Sequence, residues 1–267
     1  MQGVRDAMGQ HGLHAGPLEQ DLQRGHAARR GIALVGGGDV QPQLPGHAPH
    51  HAEAEHPDYR TRRDDRAPGA HPPRLAGLGP EHWQTWLAGR LQAAGAHVQY
   101  PDLPACDVPC PDRWGAALQG ELRRLAAGPG ERIVICHSLG CVLWLREAAR
   151  IAPRHRVDRV VLVAPPCPGA AIPELAGFYP TGADRAAVDA AAGHTRLVCS
   201  DDDDYCPGPG APEQWGRPLG LEVDLLPGAG HLNVDAGYGP WPAMRSWALG
   251  EVAVLAQAEG AKNGAEM

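Results

Sequence analysis

Apolar and polar positions divide the later two-thirds of the chain into regular blocks. "RIVIC" (132–136), "VDRVVLVAPP" (157–166), "TRLVCS" (195–200) and "LEVDLLPG" (221–228) are short apolar runs that predict strands, and "AHVQYPDL" (96–103) predicts a further short one. The continuous apolar character of "RIVIC" is that of a strand covered on both faces of a parallel sheet. Between these runs the apolar residues return at helical spacing, over 82–95, 111–128, 139–152 and 241–257. The helix over 111–128 carries its own punctuation: Pro111 and Asp112 start it, arginines lie near its end and Gly128 stops it. Strands alternating with helices predict an α/β class with a mainly parallel sheet and helices on both faces. Such sheets hold their ligands at the carboxyl ends of the strands.

Three strand ends carry chemistry. The run 132–136 leads into His137 and Ser138, 195–200 into the acidic run Asp201 to Asp204, and 221–226 into "GAGHLN" with His231. Serine, aspartate and histidine in this chain order, each just past a strand, match the order and placement of an α/β-hydrolase triad. A serine hydroxyl is a weak nucleophile until an imidazole takes its proton. A buried carboxylate fixes the tautomer of that imidazole and stabilises its cation. A sharp strand-to-helix turn exposes the serine and aims the first helix amide, that of Leu139, at a developing oxyanion.

Each of these residues also has a plainer reading. The turn reads Cys136-His137-Ser138-Leu139-Gly140, with cysteine where the G-x-S-x-G elbow has glycine. Ser138 alone would read as a helix N-cap; the aspartate and histidine at the other strand ends favour the nucleophile. His137 is expected to be a packing residue whose ring points away from the nucleophile. Three of the four aspartates are expected to form a solvated turn. His194 and His155 precede strands, on the wrong edge of the sheet for a base, and His82 precedes the nucleophile in the chain.

Composition narrows the function classes. The formal net charge is −7, which leaves no basic footprint for nucleic acid. No apolar run approaches the roughly 20 residues of a membrane span, and "MQGVRDAMGQHG" has no apolar signal core. Seven cysteines, an odd number with several in predicted core positions, read as reduced thiols of a cytoplasmic protein rather than a disulfide framework. All seven tryptophans and the one phenylalanine lie after residue 80, whereas eight of the fourteen histidines lie in the first 71 residues. Residues 1–70 therefore read as a mostly disordered leader with a single plausible strand, "GIALVGG" (31–37). The folded domain is expected over 71–258, followed by a frayed tail over 259–267. His47, His50, His51 and His56, or Cys106 with Cys110, are the candidates for a metal. A metal site needs convergent ligands, and these histidines lie in the segment expected to be disordered, so neither a metal nor a cofactor is expected.

"HSLGC" (137–141), "VLVAPP" (161–166), "PELAGFYP" (173–180), "DDYC" (203–206) and "GAGHLNVDAGYGPWP" (228–242) resemble the RBBP9/YdeN family of small serine hydrolases. "GPEHWQTW" (79–86) and "YPDLP" (100–104) are similar to the early segments of that family, so the resemblance spans about residues 77–250. It implies an α/β-hydrolase fold with a short cap, a Ser/Asp/His triad and no metal. The family commonly carries Asn-Asp-Pro-Tyr-Cys at the acid. Anchoring on Tyr205 and Cys206 makes Asp203 the acid, with Asp204 as its competitor. The expected catalytic residues are thus Ser138, Asp203 and His231.

The family begins with a buried strand and a loop of the type Leu-Pro-Gly-Trp-x-x-Ser-Gly-Pro that supplies a second oxyanion amide. Here the matching place reads "HPPRLAGLGPEHW" (71–83). Codons for His71 to Leu78, read one base later, permit Ile-Leu-Pro-Gly-Trp-Gln-Asp-Ser, so residues 1 to about 78 are read as translated out of frame. The alternative is a divergent N-terminus in which "GIALVGG" serves as the first strand.

Two function classes follow. One is a serine hydrolase acting on a small-molecule ester, thioester or amide. The other is a non-catalytic or weakened hydrolase-like binding protein with a damaged first strand and oxyanion loop. The stretch 165–193 lies where a cap would go. His82, Trp83, Phe178 and Tyr179 are the candidates to line a substrate pocket, with loop packing the alternative for Phe178 and Tyr179. Neither a nucleic acid nor a membrane partner is expected, and the oligomeric state is left open.

Overall fold

The computed structural model describes residues 30–36, 79–106, 108–168, 170 and 172–255. Six strands form one sheet in the order β2-β1-β3-β4-β5-β6. They are β1 (Arg30–Gly36), β2 (His97–Gln99), β3 (Glu131–His137), β4 (Val157–Val163), β5 (Ala192–Cys199) and β6 (Glu222–Leu225). Every neighbouring pair is parallel. The helices are α1 (Trp83–Ala93), α2 (Pro111–Ala127), α3 (Leu139–Glu147), α4 (Arg185–Ala191), the short α5 (Arg217–Leu219) and α6 (Pro242–Ala248).

Alternate residues of the central strands β1, β3, β4 and β5 feed two cores. Ala33, Val35, Val134, Cys136, Val160 and Leu162 face the layer that holds α2, α3 and α4. Ile32, Leu34, Ile133, Ile135, Val161 and Val163 face the layer that holds α1 and α6. Both faces of β1, β3 and β4 are covered, so the interiors of these strands carry no polar alternation, whereas the edge strand β6 does alternate, with Val223 and Leu225 exposed. Five tryptophans, Trp83, Trp114, Trp144, Trp241 and Trp247, are fully buried in these layers.

The first strand is present. Residues 30–36 of the expected leader lie between β2 and β3, and Ile32 and Val35 pair with Ile133 and Cys136. The reading of a sheet that lacks this strand is corrected: residues 31–36 of "GIALVGG" occupy the slot. Four contiguous buried residues, Ile32 to Val35, give the strand its driving force. An ion-pair network fastens its start: Arg30 Nε lies 2.9 Å from Glu131 Oε2, and Arg159 Nε lies 2.5 Å from Glu131 Oε1. The other residues of the leader, and the tail from 256, lie outside the described residues.

Several elements are shorter than the sequence pattern predicts, among them β4, which ends at Val163, and β6, which covers only Glu222–Leu225. β2 ends at Gln99, just before Tyr100 and Pro101. α3 ends at Glu147 and tightens into a 3-10 turn over Ala148–Arg150, ahead of Pro153. α6 ends at Ala248, because Gly250 turns the chain at φ 72°. Among the described residues no helix is long and apolar enough to cross a membrane.

Candidate active site

The carboxyl ends of β3, β5 and β6 converge at one place. β3 runs straight into Ser138, which sits at φ 52° and ψ −129° before α3 begins. A non-glycine residue at positive φ carries a conformational cost that persists only where its surroundings enforce it. Here the Ser138 amide donates to the Val163 carbonyl at 3.0 Å. Gly140 explains the small residue two places on. A Cβ there would lie 2.3 Å from the Val35 carbonyl oxygen, so the elbow packs directly on the end of β1. Cys136, at the other glycine position of the elbow motif, is fully buried in the core facing α2 and α3.

Ser138 Oγ lies 2.9 Å from His231 Nε2. On the other side of the ring, His231 Nδ1 lies 2.9 Å from both carboxylate oxygens of Asp203. All three residues are buried. The carboxylate is itself held, because Asp203 Oδ1 accepts the Tyr205 amide at 2.9 Å. Asp204, the competing acid, is exposed. The phenol ring of Tyr205 stacks on the His231 imidazole, with centroids 4.1 Å apart and planes at 27°.

The rest of the acidic run is exposed, and two of its members also hold backbone. Asp201 Oδ1 accepts the Gly228 amide at 2.8 Å, and Asp202 Oδ1 accepts the Gly230 amide at 2.6 Å. Ser200 Oγ accepts the Ala229 amide at 2.8 Å and donates to Asp202. Three consecutive residues at the end of β5 therefore hold the backbone leading to His231. Turns of small residues have free amides, and carboxylates are their strongest acceptors. Asp201, Asp202 and Asp204 are exposed, as expected of a solvated turn, and only Asp203 is buried; the expectation did not include the amides that Asp201 and Asp202 hold.

His137 is likewise not remote. Its ring is fully buried, 5.3 Å from the His231 ring and 5.0 Å from that of His82. Its Nε2 lies 3.1 Å from the main-chain carbonyl of His231. Burial, the His82 ring and the His231 ring together hold its basicity well below that of an ordinary histidine. His82 caps α1, its Nδ1 accepting the Gln84 amide at 3.1 Å. Burial first, and His231 second, lower its pKa to about 4.

The four pocket candidates divide. Trp83 and Phe178 have no exposed surface. Phe178 packs edge-on against Trp114, with centroids 5.5 Å apart, and Trp83 donates from Nε1 to the Leu232 carbonyl at 2.9 Å. Their large apolar area is spent on the two cores, which corrects their placement as pocket walls. His82 is buried at its cap. Tyr179 is half-buried, and its hydroxyl donates to the Pro166 carbonyl at 2.8 Å.

The cysteines also require a correction. Cys167, after β4, is bonded to Cys206 in the acid loop, with Cα atoms 4.5 Å apart. The Cys167 amide donates to the Tyr205 carbonyl at 2.9 Å, and the Cys206 amide donates to the Asp203 carbonyl at 2.9 Å. The bond thus clamps the loop that carries both the carboxylate and the stacked phenol. Cysteine spacing does not show such a contact between two distant strand ends. The bond also removes the argument from wholly reduced thiols on which a cytoplasmic location rested. Burial pushes the Cys136 and Cys141 thiols far up.

Residues 73–248 match the family model described as "Serine hydrolase". No curated protein matches the chain. Among solved structures, the chain is similar to the ydeN gene product of B. subtilis at 18% identity and a TM-score of 0.59, covering 82% of this chain and 96% of that one. It is also similar to a YdeN-like hydrolase from Pectobacterium atrosepticum at 19% identity and a TM-score of 0.54, covering 87% and 96%. At these identities the likeness shows the shared fold.

Proposed function

The chain belongs to the serine hydrolase family, and from that premise we propose that it cleaves a small ester, thioester or amide through an acyl-enzyme formed on Ser138. One observation carries the proposal: His231 bridges Ser138 Oγ and Asp203, with 2.9 Å on each side.

With neutral His231, the Nδ1 proton is held by Asp203 and the Nε2 lone pair faces the serine hydroxyl. Ser138 Oγ attacks the substrate carbonyl as its proton passes to Nε2. The oxyanion forms beside the free end of α3, where the Leu139 amide is the donor. The imidazolium, stabilised by Asp203, gives its proton to the leaving group. A water then repeats the sequence on the acyl-enzyme and restores Ser138. The reading needs no cofactor or metal, and its partner is a small-molecule substrate.

The reading of a weakened, non-catalytic relative rested on a damaged first strand and a damaged oxyanion loop, and β1 speaks against the first of these. The loop that would bring a second oxyanion amide lies outside the described residues. The test is hydrolysis of activated short-chain aryl esters and thioesters by the full chain and by Ser138→Ala. Turnover by the former, with loss of at least about a thousandfold in the latter, supports the proposal. Equal turnover by both removes Ser138 as the nucleophile.

A further inference from the structure

We infer that His137 and Trp83 are positioning residues, which together hold the backbone of the His231 loop by donating to two consecutive carbonyls. The inference rests on the reading of His231 as the base.

His137 Nε2 meets the His231 carbonyl at 3.1 Å, and Trp83 Nε1 meets the Leu232 carbonyl at 2.9 Å. A carbonyl only accepts, so the proton of His137 resides on Nε2. Its Nδ1 is left as a bare acceptor, buried without a partner among the described residues. An imidazole kept in one tautomer, at the cost of an unsatisfied nitrogen, is an expensive way to fill space: an apolar side chain of similar shape would pack there without that penalty. What the imidazole adds is the donor.

The carbonyls it and Trp83 serve belong to a backbone that needs holding. Leu232 sits at φ 55° and Gly230 at φ 57°. A leucine in the left-handed region relaxes unless its neighbours prevent it. The loop is gripped from both sides. Asp201, Ser200 and Asp202 hold the amides of residues 228, 229 and 230, while His137 and Trp83 hold the carbonyls of 231 and 232. The two donors also support each other, because the Trp83 ring meets the His137 ring edge-on at 5.6 Å. Trp83 is braced in turn by Trp241 at 5.1 Å, from the end of the same loop. His137 is adjacent to the nucleophile in the chain and bonded to the backbone of the base. It therefore couples the positions of the two reacting groups. A shift of about 1 Å between such groups costs on the order of a hundredfold in rate.

The experiment compares His137→Phe, which keeps a ring and removes the donor, with His137→Gln, whose amide nitrogen reaches about as far as Nε2. Two readouts are taken on the full chain. The first is the rate of covalent labelling of Ser138 by a fluorophosphonate. The second is the downfield proton resonance of His231 Nδ1, which reports the Asp203 contact whether or not the enzyme turns over. The expected result is a ten- to hundredfold slower labelling and a broadened or lost resonance in His137→Phe. His137→Gln stays within about threefold of wild type and keeps the resonance. A His137→Phe protein that labels at the wild-type rate and keeps a sharp resonance overturns the inference, as does a His137→Gln protein as impaired as His137→Phe. If His137→Phe does not fold, Trp83→Phe removes the second donor and is judged by the same outcomes. A wild-type chain that shows the resonance but never labels Ser138 counts against the catalytic reading alone.

Discussion

Both carboxylate oxygens of Asp203 lie 2.9 Å from Nδ1 of His231. A carboxylate set this way accepts the Nδ1 proton and leaves Nε2 free to face Ser138. Asp203→Asn presents an amide that can donate, which favours the opposite tautomer. The expected loss is about 10⁴-fold in kcat with the fold intact. Asp204 is exposed, and Asp204→Asn should change kcat by less than about threefold. The check is kcat for the two variants on one ester, and the reverse order would make Asp204 the acid.

Reduction should loosen the same loop. The Cys167–Cys206 bond spans 39 residues of sequence, a separation for which a cross-link contributes about 2–4 kcal/mol. Native protein unfolded under alkylating conditions should take up five labels, and reduced protein seven. Dithiothreitol or Cys206→Ser should lower both Tm and kcat/KM, because the freed loop carries Asp203 and Tyr205. Seven labels without reduction would show that the bond does not form.

Stability should fall in acid through His82 and His137. The pKa of His82 is lowered to about 4 from the 6.5 of an ordinary histidine, chiefly by burial. Between these values the unfolded chain binds a proton that the folded chain refuses. Stability is therefore full above about pH 7, declines as the pH falls toward 4, and loses on the order of 3 kcal/mol from this group. His137 acts in the same direction. His82→Asn keeps a helix-capping oxygen and removes the titration, so its Tm should depend less steeply on pH between 7 and 4. Parallel Tm curves for the two proteins would contradict the assignment.

Two glycines should respond in opposite directions. A Cβ at Gly140 meets the Val35 carbonyl at 2.3 Å, while one at Gly89, exposed within α1, meets nothing within 4 Å. Gly140→Ala should cost about 1–3 kcal/mol and displace the elbow, lowering activity more than stability alone explains. Gly89→Ala should add about 0.5–1 kcal/mol by favouring the helix. Urea unfolding of both variants measures the contrast.

The parts legible in the sequence were those set by local pattern. Strands β3, β4 and β5 announced themselves because both faces of the sheet are covered, so no polar residue interrupts their cores. Ser138 and His231 were readable from their places after strands; within the run Asp201 to Asp204 the choice of Asp203 came from the resemblance anchored on Tyr205 and Cys206. The "GAGHLNVDAGYGPWP" run now has a physical account. Asn233 closes the turn by accepting the Ala236 amide at 3.0 Å, and Trp241 packs on Trp83 and Tyr238. What pattern did not reveal were contacts between distant strand ends. The bond between Cys167 and Cys206, the amide bonds of Asp201 and Asp202 and the His137 contact all join segments far apart in the chain. The burial of Phe178 against Trp114 depends on the same kind of long-range packing. β1 was recognisable as a strand, yet its place between β2 and β3 was not, because a long segment of different composition separates it from its neighbours.

The most direct test of the account is the chemical identity of the labelled residue. The full chain is treated with a fluorophosphonate, digested, and the modified peptide is sequenced by mass spectrometry, alongside His231→Ala. The account predicts one phosphonylated serine, Ser138, in the peptide containing "CHSLGC", and labelling slowed at least about a thousandfold in His231→Ala. Labelling at another residue, or equal labelling of Ser138 with and without His231, would contradict it.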